Sequence, residues 1–206
     1  MRVGPKYKIA RRLGDPGIFG KTMGPKFALS ESRKKGGKKG KFQKQRSEFG
    51  SQLIEKQKAR FTYGISERQL SNYVIKSRST KGKSPAESLF ENLESRLDNV
   101  IYRLGLASTR AFARQLVSHG HVMVNDRRVT VPSYAVRKGE MIAIRAQSKK
   151  SAAFTNATER LGGHRPPAWL SLDHVSLSGK IENTPVFAPG ESTVNFGAIV
   201  EFYSRV

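Results

Sequence analysis

Residues 94–145 read ESRLDNVIYRLGLASTRAFARQLVSHGHVMVNDRRVTVPSYAVRKGEMIAIR, and the hydrophobic period changes once within them. Leu97, Val100, Ile101 and Leu104 recur at helical spacing until Gly105. Ser108 is placed to cap a second helix, with Ala111, Phe112, Gln115 and Leu116 on its inner face and Gly120 at its end. From His121 the period falls to two. Val122 and Val124 lead to a turn at Asn125 and Asp126, then Val129 and Val131 precede Pro132, as in a hairpin. Tyr134 and Val136, a Lys138-Gly139 turn, and Met141, Ile142 and Ile144 add a further strand. A helix pair packed on a small antiparallel sheet is an α+β unit.

Upstream, Phe49, Leu53, Ile54 and Phe61 fit one apolar stripe of a helix over residues 47–63, closed by Gly64. Two capping boxes follow: Ser66 with Gln69 opens a helix carrying Leu70, Tyr73 and Val74, and Ser84 with Pro85 and Glu87 opens one carrying Leu89, Phe90 and Leu93. The helical pattern then runs on towards Leu97, with a break expected near Ser95. Downstream, residues 148–158 are small and polar, a loop or a short helix. Trp169, Leu172, Val175, Leu177 and Ile181 suggest another strand pair, while residues 196–203 are too short a run to assign.

The 206 residues hold 38 Lys or Arg against 16 Asp or Glu, a net charge of +22, which favours a polyanionic partner. Zero cysteine excludes disulfides, thiolate catalysis and Cys-ligated metal. No stretch approaches the ~20 apolar residues that span a bilayer, and residues 1–10 lack a following apolar segment, so a soluble, unexported protein is expected. The charge is uneven. Of the 14 residues 33–46, eight are basic and none acidic, and Gly36, Gly37 and Gly40 oppose helix. Such an arm, without fixed structure in the free protein, can fold along a nucleic acid and gain affinity by counterion release. A solvated tail or a localisation-like patch is the plainer alternative.

Catalytic constellations fail on spacing. Gly82-Lys83-Ser84 resembles the end of a phosphate-binding P-loop, but the glycine required five residues earlier is Ser77. His119 and His121 have no third ligand nearby in sequence, so no metal is expected. Glu94 and Asp98 lie four apart on a predicted helix, and ion pairing with Arg96 and Arg103 is the simplest account of them. His174 follows Asp173 directly, and adjacency is not triad geometry. What stands out is Arg96, Arg103, Arg110, Arg114, His119 and His121 across a short helix pair. Guanidinium forks grip phosphate oxygens and stack on bases, and the absence of finger, zipper or long recognition helix favours shape-directed RNA binding over duplex-groove readout.

The stretch 94–145 resembles the RNA-binding module named after small-subunit ribosomal protein four. GPKYKIARRLG (4–14), SEFGSQLIEKQKARFTYGISERQLSNY (47–73), Trp169-Leu170 with Asp173, and IVEFYSR (199–205) extend the resemblance to that family over nearly the whole chain. It implies a basic N-terminal arm (1–45), a helical domain (46–94 with about 190–206, the terminal segment folding back) and an inserted domain (95–189) containing the module (95–146). By the same resemblance the chain is a structural constituent of the small ribosomal subunit, without catalytic residues or cofactors. It binds the five-prime domain of small-subunit rRNA early in assembly and contributes to translational accuracy. Its implied neighbours are small-subunit ribosomal protein five and the path along which messenger RNA enters, with no membrane, in the cytoplasm or an organelle. RNA contacts carried over by position are Arg11 and Arg12, Lys34, Lys35, Lys38, Lys39, Lys41, Lys44 and Arg46 of the arm, and Arg96, Arg103, Arg110, Arg114, His119 and His121 of the module. Many relatives have zinc-ligating cysteines near the N-terminus and a Pro-Gly-Gln-His-Gly turn; this chain has neither, Gly36 to Gly40 standing at the turn. A free RNA-binding stress protein and an RNA-modifying enzyme with the same module are the alternatives.

Overall fold

In a computed structural model the described residues are 4–15, 17–19, 23–32, 47–151, 154, 161, 163–187 and 192–205. The basic run 33–46, for which absence of fixed structure was expected, lies outside them. The chain divides into two compact units, Met1–Ala86 with Ala188–Val206, and Glu87–Phe187.

The first unit holds helices α1 (Lys6–Leu13), α2 (Met23–Ser32), α3 (Glu48–Thr62), α4 (Glu67–Ser79) and α9 (Phe196–Arg205), while α5 (Pro85–Glu94) leads out of it. The starts of α3 and α4 follow from local chemistry. Ser47 Oγ accepts from Gly50 N at 3.2 Å, and Ser66 with Gln69 forms the expected reciprocal capping box. The inner face of α3 departs from the expected stripe: Gln52, Lys56 and Ala59 are buried, whereas Phe49 is 48% exposed. The reason is α9, a run too short to assign from its own residues, which packs on α3 and supplies partners for its polar groups. Gln52 Nε2 donates to Glu201 Oε2 at 3.1 Å, and Lys56 Nζ lies 4.6 Å from the Phe202 ring centroid while donating to Glu67 at 2.8 Å. Tyr203 Oη donates to the same Glu67 oxygen at 2.6 Å, so Glu67 joins the start of α4 to both helices.

The second unit carries α6 (Leu97–Arg103), α7 (Arg110–Ser118), α8 (Ala146–Lys149) and strands β1 (Val122–Val124), β2 (Arg127–Arg128), β3 (Met141–Ile144), β4 (Leu170–Asp173) and β5 (Ser178–Ile181). The sheet is antiparallel throughout, in the order β2-β1-β3-β5-β4. Val122, Val124, Ile142 and Ile144 point to one face and join Leu97, Val100, Ile101, Leu104, Ala113, Leu116 and Val117 in a single core. This is the α+β architecture the change of period predicted, with the helix break near Ser95 and the second strand pair in place.

Three local expectations differ. Thr109, not Ser108, caps α7, its Oγ1 accepting from Phe112 N at 3.1 Å. The hairpin closes through Asn125 (φ 46) and Asp126 (φ 61), left-handed residues of a two-residue turn, so β2 is Arg127–Arg128 rather than a strand through Val131. Tyr134 to Val136 makes only an isolated bridge, Ala135 to Arg96, with Val136 N donating to Ser95 O at 2.9 Å. Pro132 lacks the N–H that would continue a ladder. Among the described residues no helix is long and apolar enough to cross a membrane.

Candidate nucleic-acid interface

The break between α5 and α6 sets the geometry. Because the helix stops at Glu94 and restarts at Leu97, Glu94 and Asp98 leave from different helices rather than from one helical face. Both acids are buried, and both are ion-paired as their sequence neighbours suggested. Arg96 Nε and Nη2 donate to Asp98 Oδ1 and Oδ2 at 3.0 and 2.8 Å. Arg114 reaches across from α7 and donates from Nε and Nη2 to Oδ2 at 2.9 and 2.6 Å. Glu94 accepts a side-on fork from Arg103, Nε to Oε2 at 2.7 Å and Nη2 to Oε1 at 2.9 Å. Asn99 is the relay to the remaining arginine. Its Nδ2 donates to Glu94 Oε2 at 2.9 Å, and its Oδ1 accepts from Arg110 Nε at 2.7 Å. The Arg110 guanidinium also stands 4.4 Å from the Tyr102 ring centroid.

Four guanidinium groups against two carboxylates leave this lattice a net charge of +2. The signs are layered. The Glu94 and Asp98 side chains are 1% and 4% exposed, whereas those of Arg103 and Arg114 are 22% and 29% exposed. An approaching anion therefore meets cations, with the compensating carboxylates beneath them. Side-on and bidentate pairing also fixes the planes of the guanidinium groups.

The structure gathers Arg103, Arg110 and Arg114 on the α6–α7 pair and removes Arg96 from the surface. Arg96, expected to face RNA, is only 2% exposed, because its place before Leu97 turns it under the helix onto Asp98. His119 is exposed at the end of α7, its ring 6.1 Å from that of His121. His121 Nδ1 lies 2.9 Å from Ser148 Oγ, and among the described residues no His, Asp or Glu group of metal-binding size forms. Arg11 and Arg12 occupy the last turn of α1 in the other unit, with Arg12 exposed. Lys34, Lys35, Lys38, Lys39, Lys41, Lys44 and Arg46 lie outside the described residues. The Asp173 carboxylate caps the β4–β5 turn, accepting from Ser176 Oγ at 2.6 Å and from Val175 N at 2.9 Å. Those hydrogen bonds, that from Ser176 foremost, hold it below the usual carboxylate range.

Sequence reasoning missed Arg127 and Arg128, both exposed on β2. The Asn125-Asp126 turn was the available signal, since a two-residue hairpin places Arg127 opposite Val124 and Arg128 opposite Met123. Arg128 Nη2 donates to His119 O at 3.3 Å, and its guanidinium lies over Gly120, whose φ of 75° and lack of Cβ make room for it. The turn thereby brings a further arginine to the His119 edge of the helix pair.

Comparison with known proteins matches residues 95–142 to the S4 domain and residues 2–94 to the ribosomal protein S4/S9 N-terminal domain. Over 206 residues the chain is 45% identical to the small ribosomal subunit protein uS4 of Roseiflexus sp. (strain RS-1), covering 98% of both chains. Proteins of the same name from Chloroflexus aurantiacus (strain ATCC 29366) and Bacteroides fragilis (strain YCH46) are each 42% identical, again over 98% of both chains.

Proposed function

The chain belongs to the uS4 family of small-ribosomal-subunit proteins, and from that premise we propose that it is a structural, non-enzymatic constituent of the small ribosomal subunit that binds rRNA. The observation that carries this is the end-to-end extent of the similarity: both flanks of the module match, not the module alone. A stress protein or modifying enzyme that borrowed the module would not need those flanks. The cationic lattice on α6 and α7 supplies fixed guanidinium planes for backbone phosphates, and the N-terminal segment adds charge density.

The finer assignments rest on the family resemblance and on the distribution of charge. The helical unit is a domain interrupted by the α+β unit. Arg103, Arg110, Arg114, His119 and His121, with Arg11, Arg12 and the basic arm, contact the five-prime domain of the rRNA. Binding occurs early in assembly and contributes to translational accuracy. Small-subunit ribosomal protein five and incoming messenger RNA are neighbours, and the site of action is the cytoplasm. Sedimentation at high salt tests the core of this: the protein is expected in small subunits at one copy each. Free protein, or association with large subunits, would refute it.

A further inference from the structure

We propose that Glu94 and Asp98 are positioning residues for RNA binding: buried carboxylates that hold Arg103, Arg110 and Arg114 in the planes in which they meet phosphate. The inference rests on the rRNA-binding role and adds to it two acids that touch no RNA themselves. Three observations carry it. Every arginine of the helix pair is fixed, directly or through Asn99, by one of two carboxylates that solvent hardly reaches. Each carboxylate ties different helices together. Asp98 on α6 holds Arg114 of α7, and Glu94 on α5 holds Arg103 of α6 and, through Asn99, Arg110 of α7. Thirdly, stability alone is a weak account of such a lattice. Desolvating two carboxylates is costly, and apolar replacements of buried ion pairs are often no less stable.

Chemistry gives the carboxylates a use that an apolar core lacks. A free arginine carries considerable rotamer entropy, which is lost when it grips a phosphate. Fixing the guanidinium beforehand places that loss in folding, so that binding proceeds without it. A competing effect has the opposite sign: a carboxylate already holding an arginine occupies donors that phosphate would use. Asp98 therefore raises RNA affinity if positioning dominates and lowers it if competition dominates.

A thermodynamic cycle separates the two. Full-length wild type, Asp98→Asn, Arg114→Ala and the double variant are titrated with a transcript of the five-prime domain of small-subunit rRNA across a salt series. The isosteric Asp98→Asn keeps the volume and removes the charge. Positioning predicts that it binds about tenfold more weakly, the scale of a single charge-assisted hydrogen bond. Its plot of log affinity against log salt should be shallower by roughly 0.7 to 0.9. The double variant should bind no more weakly than Arg114→Ala alone, because Asp98 acts through Arg114. Wild-type or tighter binding by Asp98→Asn, or additive losses in the double variant, overturns the proposal. If Asp98→Asn does not fold cooperatively, Glu94→Gln made in the wild type and in an Arg103→Ala/Arg110→Ala background forms the equivalent cycle with the same criteria, because Glu94 acts through both arginines. Failure of the wild type to bind the transcript would instead refute the underlying rRNA-binding role, and it would appear before any variant was compared.

Discussion

Arg96→Ala should cost stability and leave the electrostatics of RNA binding untouched. The arginine is 2% exposed and donates two hydrogen bonds, at 3.0 and 2.8 Å, to a carboxylate that is itself 4% exposed. Removing one partner of a buried ion pair typically costs about 3–5 kcal/mol, since the other charge is left uncompensated. Here Asp98 keeps two hydrogen bonds from Arg114, at 2.9 and 2.6 Å, so the lower end applies, about 3 kcal/mol. With a urea dependence of about 2 kcal/mol per molar, the unfolding midpoint should fall by roughly 1.5 M. Urea unfolding followed by circular dichroism reads this directly. In parallel, the salt dependence of rRNA affinity should keep its wild-type slope, because a buried guanidinium releases no counterions. A slope reduced by roughly 0.7 to 0.9 would place Arg96 on a phosphate and refute the assignment. An unchanged midpoint would show that the Asp98 fork holds nothing together.

Further outcomes follow from other parts of the molecule. Gly120→Ala puts a Cβ on a residue with φ of 75° and into the Arg128 guanidinium; a loss of about 1–2 kcal/mol in urea unfolding is expected, with Arg128 displaced from His119. Gly179→Ala meets the Leu104 side chain at 2.6 Å and the Ser171 carbonyl at 2.9 Å; the backbone oxygen cannot yield, so overpacking should cost about 1–3 kcal/mol in the same assay. Burial pushes the Glu67 carboxyl up, but hydrogen bonds from Lys56 and Tyr203 outweigh it and leave the folded value lowered. The stabilisation is thus complete above the unfolded carboxylate range and fades as pH falls through the folded value. Glu67→Gln should lower the urea midpoint at neutral pH and converge on the wild type in acid. Deleting residues 1–46 should flatten the salt dependence of rRNA binding by roughly 0.7 to 0.9 for each phosphate the arm neutralises, and an unchanged slope would exclude the arm from the interface.

The α+β unit was legible because its signals are local and redundant. The period change at His121, the Asn125-Asp126 turn and the glycines at 105 and 120 all agree with the fold that forms. The α3 face was not legible, since Gln52 and Lys56 are buried only because Glu201, Phe202 and Glu67 arrive from elsewhere in the chain. Residues 196–203 read as ambiguous for the same reason: their apolar side chains are explained by α3, which is remote in sequence. At the candidate interface, the near-neighbour pairs Arg96–Asp98 and Arg103–Glu94 were visible in sequence. The Arg114–Asp98 pair and the Asn99 relay to Arg110 were not, because they depend on how α7 crosses α6. Burial of Arg96 was equally hidden. A guanidinium beside a helix start looks the same in sequence whether it turns outward to solvent or inward to a carboxylate.

Crosslinking of the intact protein within purified small ribosomal subunits tests the central claim most directly. Peptides carrying Arg103, Arg110 and Arg114 should be found joined to nucleotides of the five-prime domain of the rRNA. Subunits of full composition in which those peptides crosslink to no rRNA, or from which the protein is absent, would contradict the account.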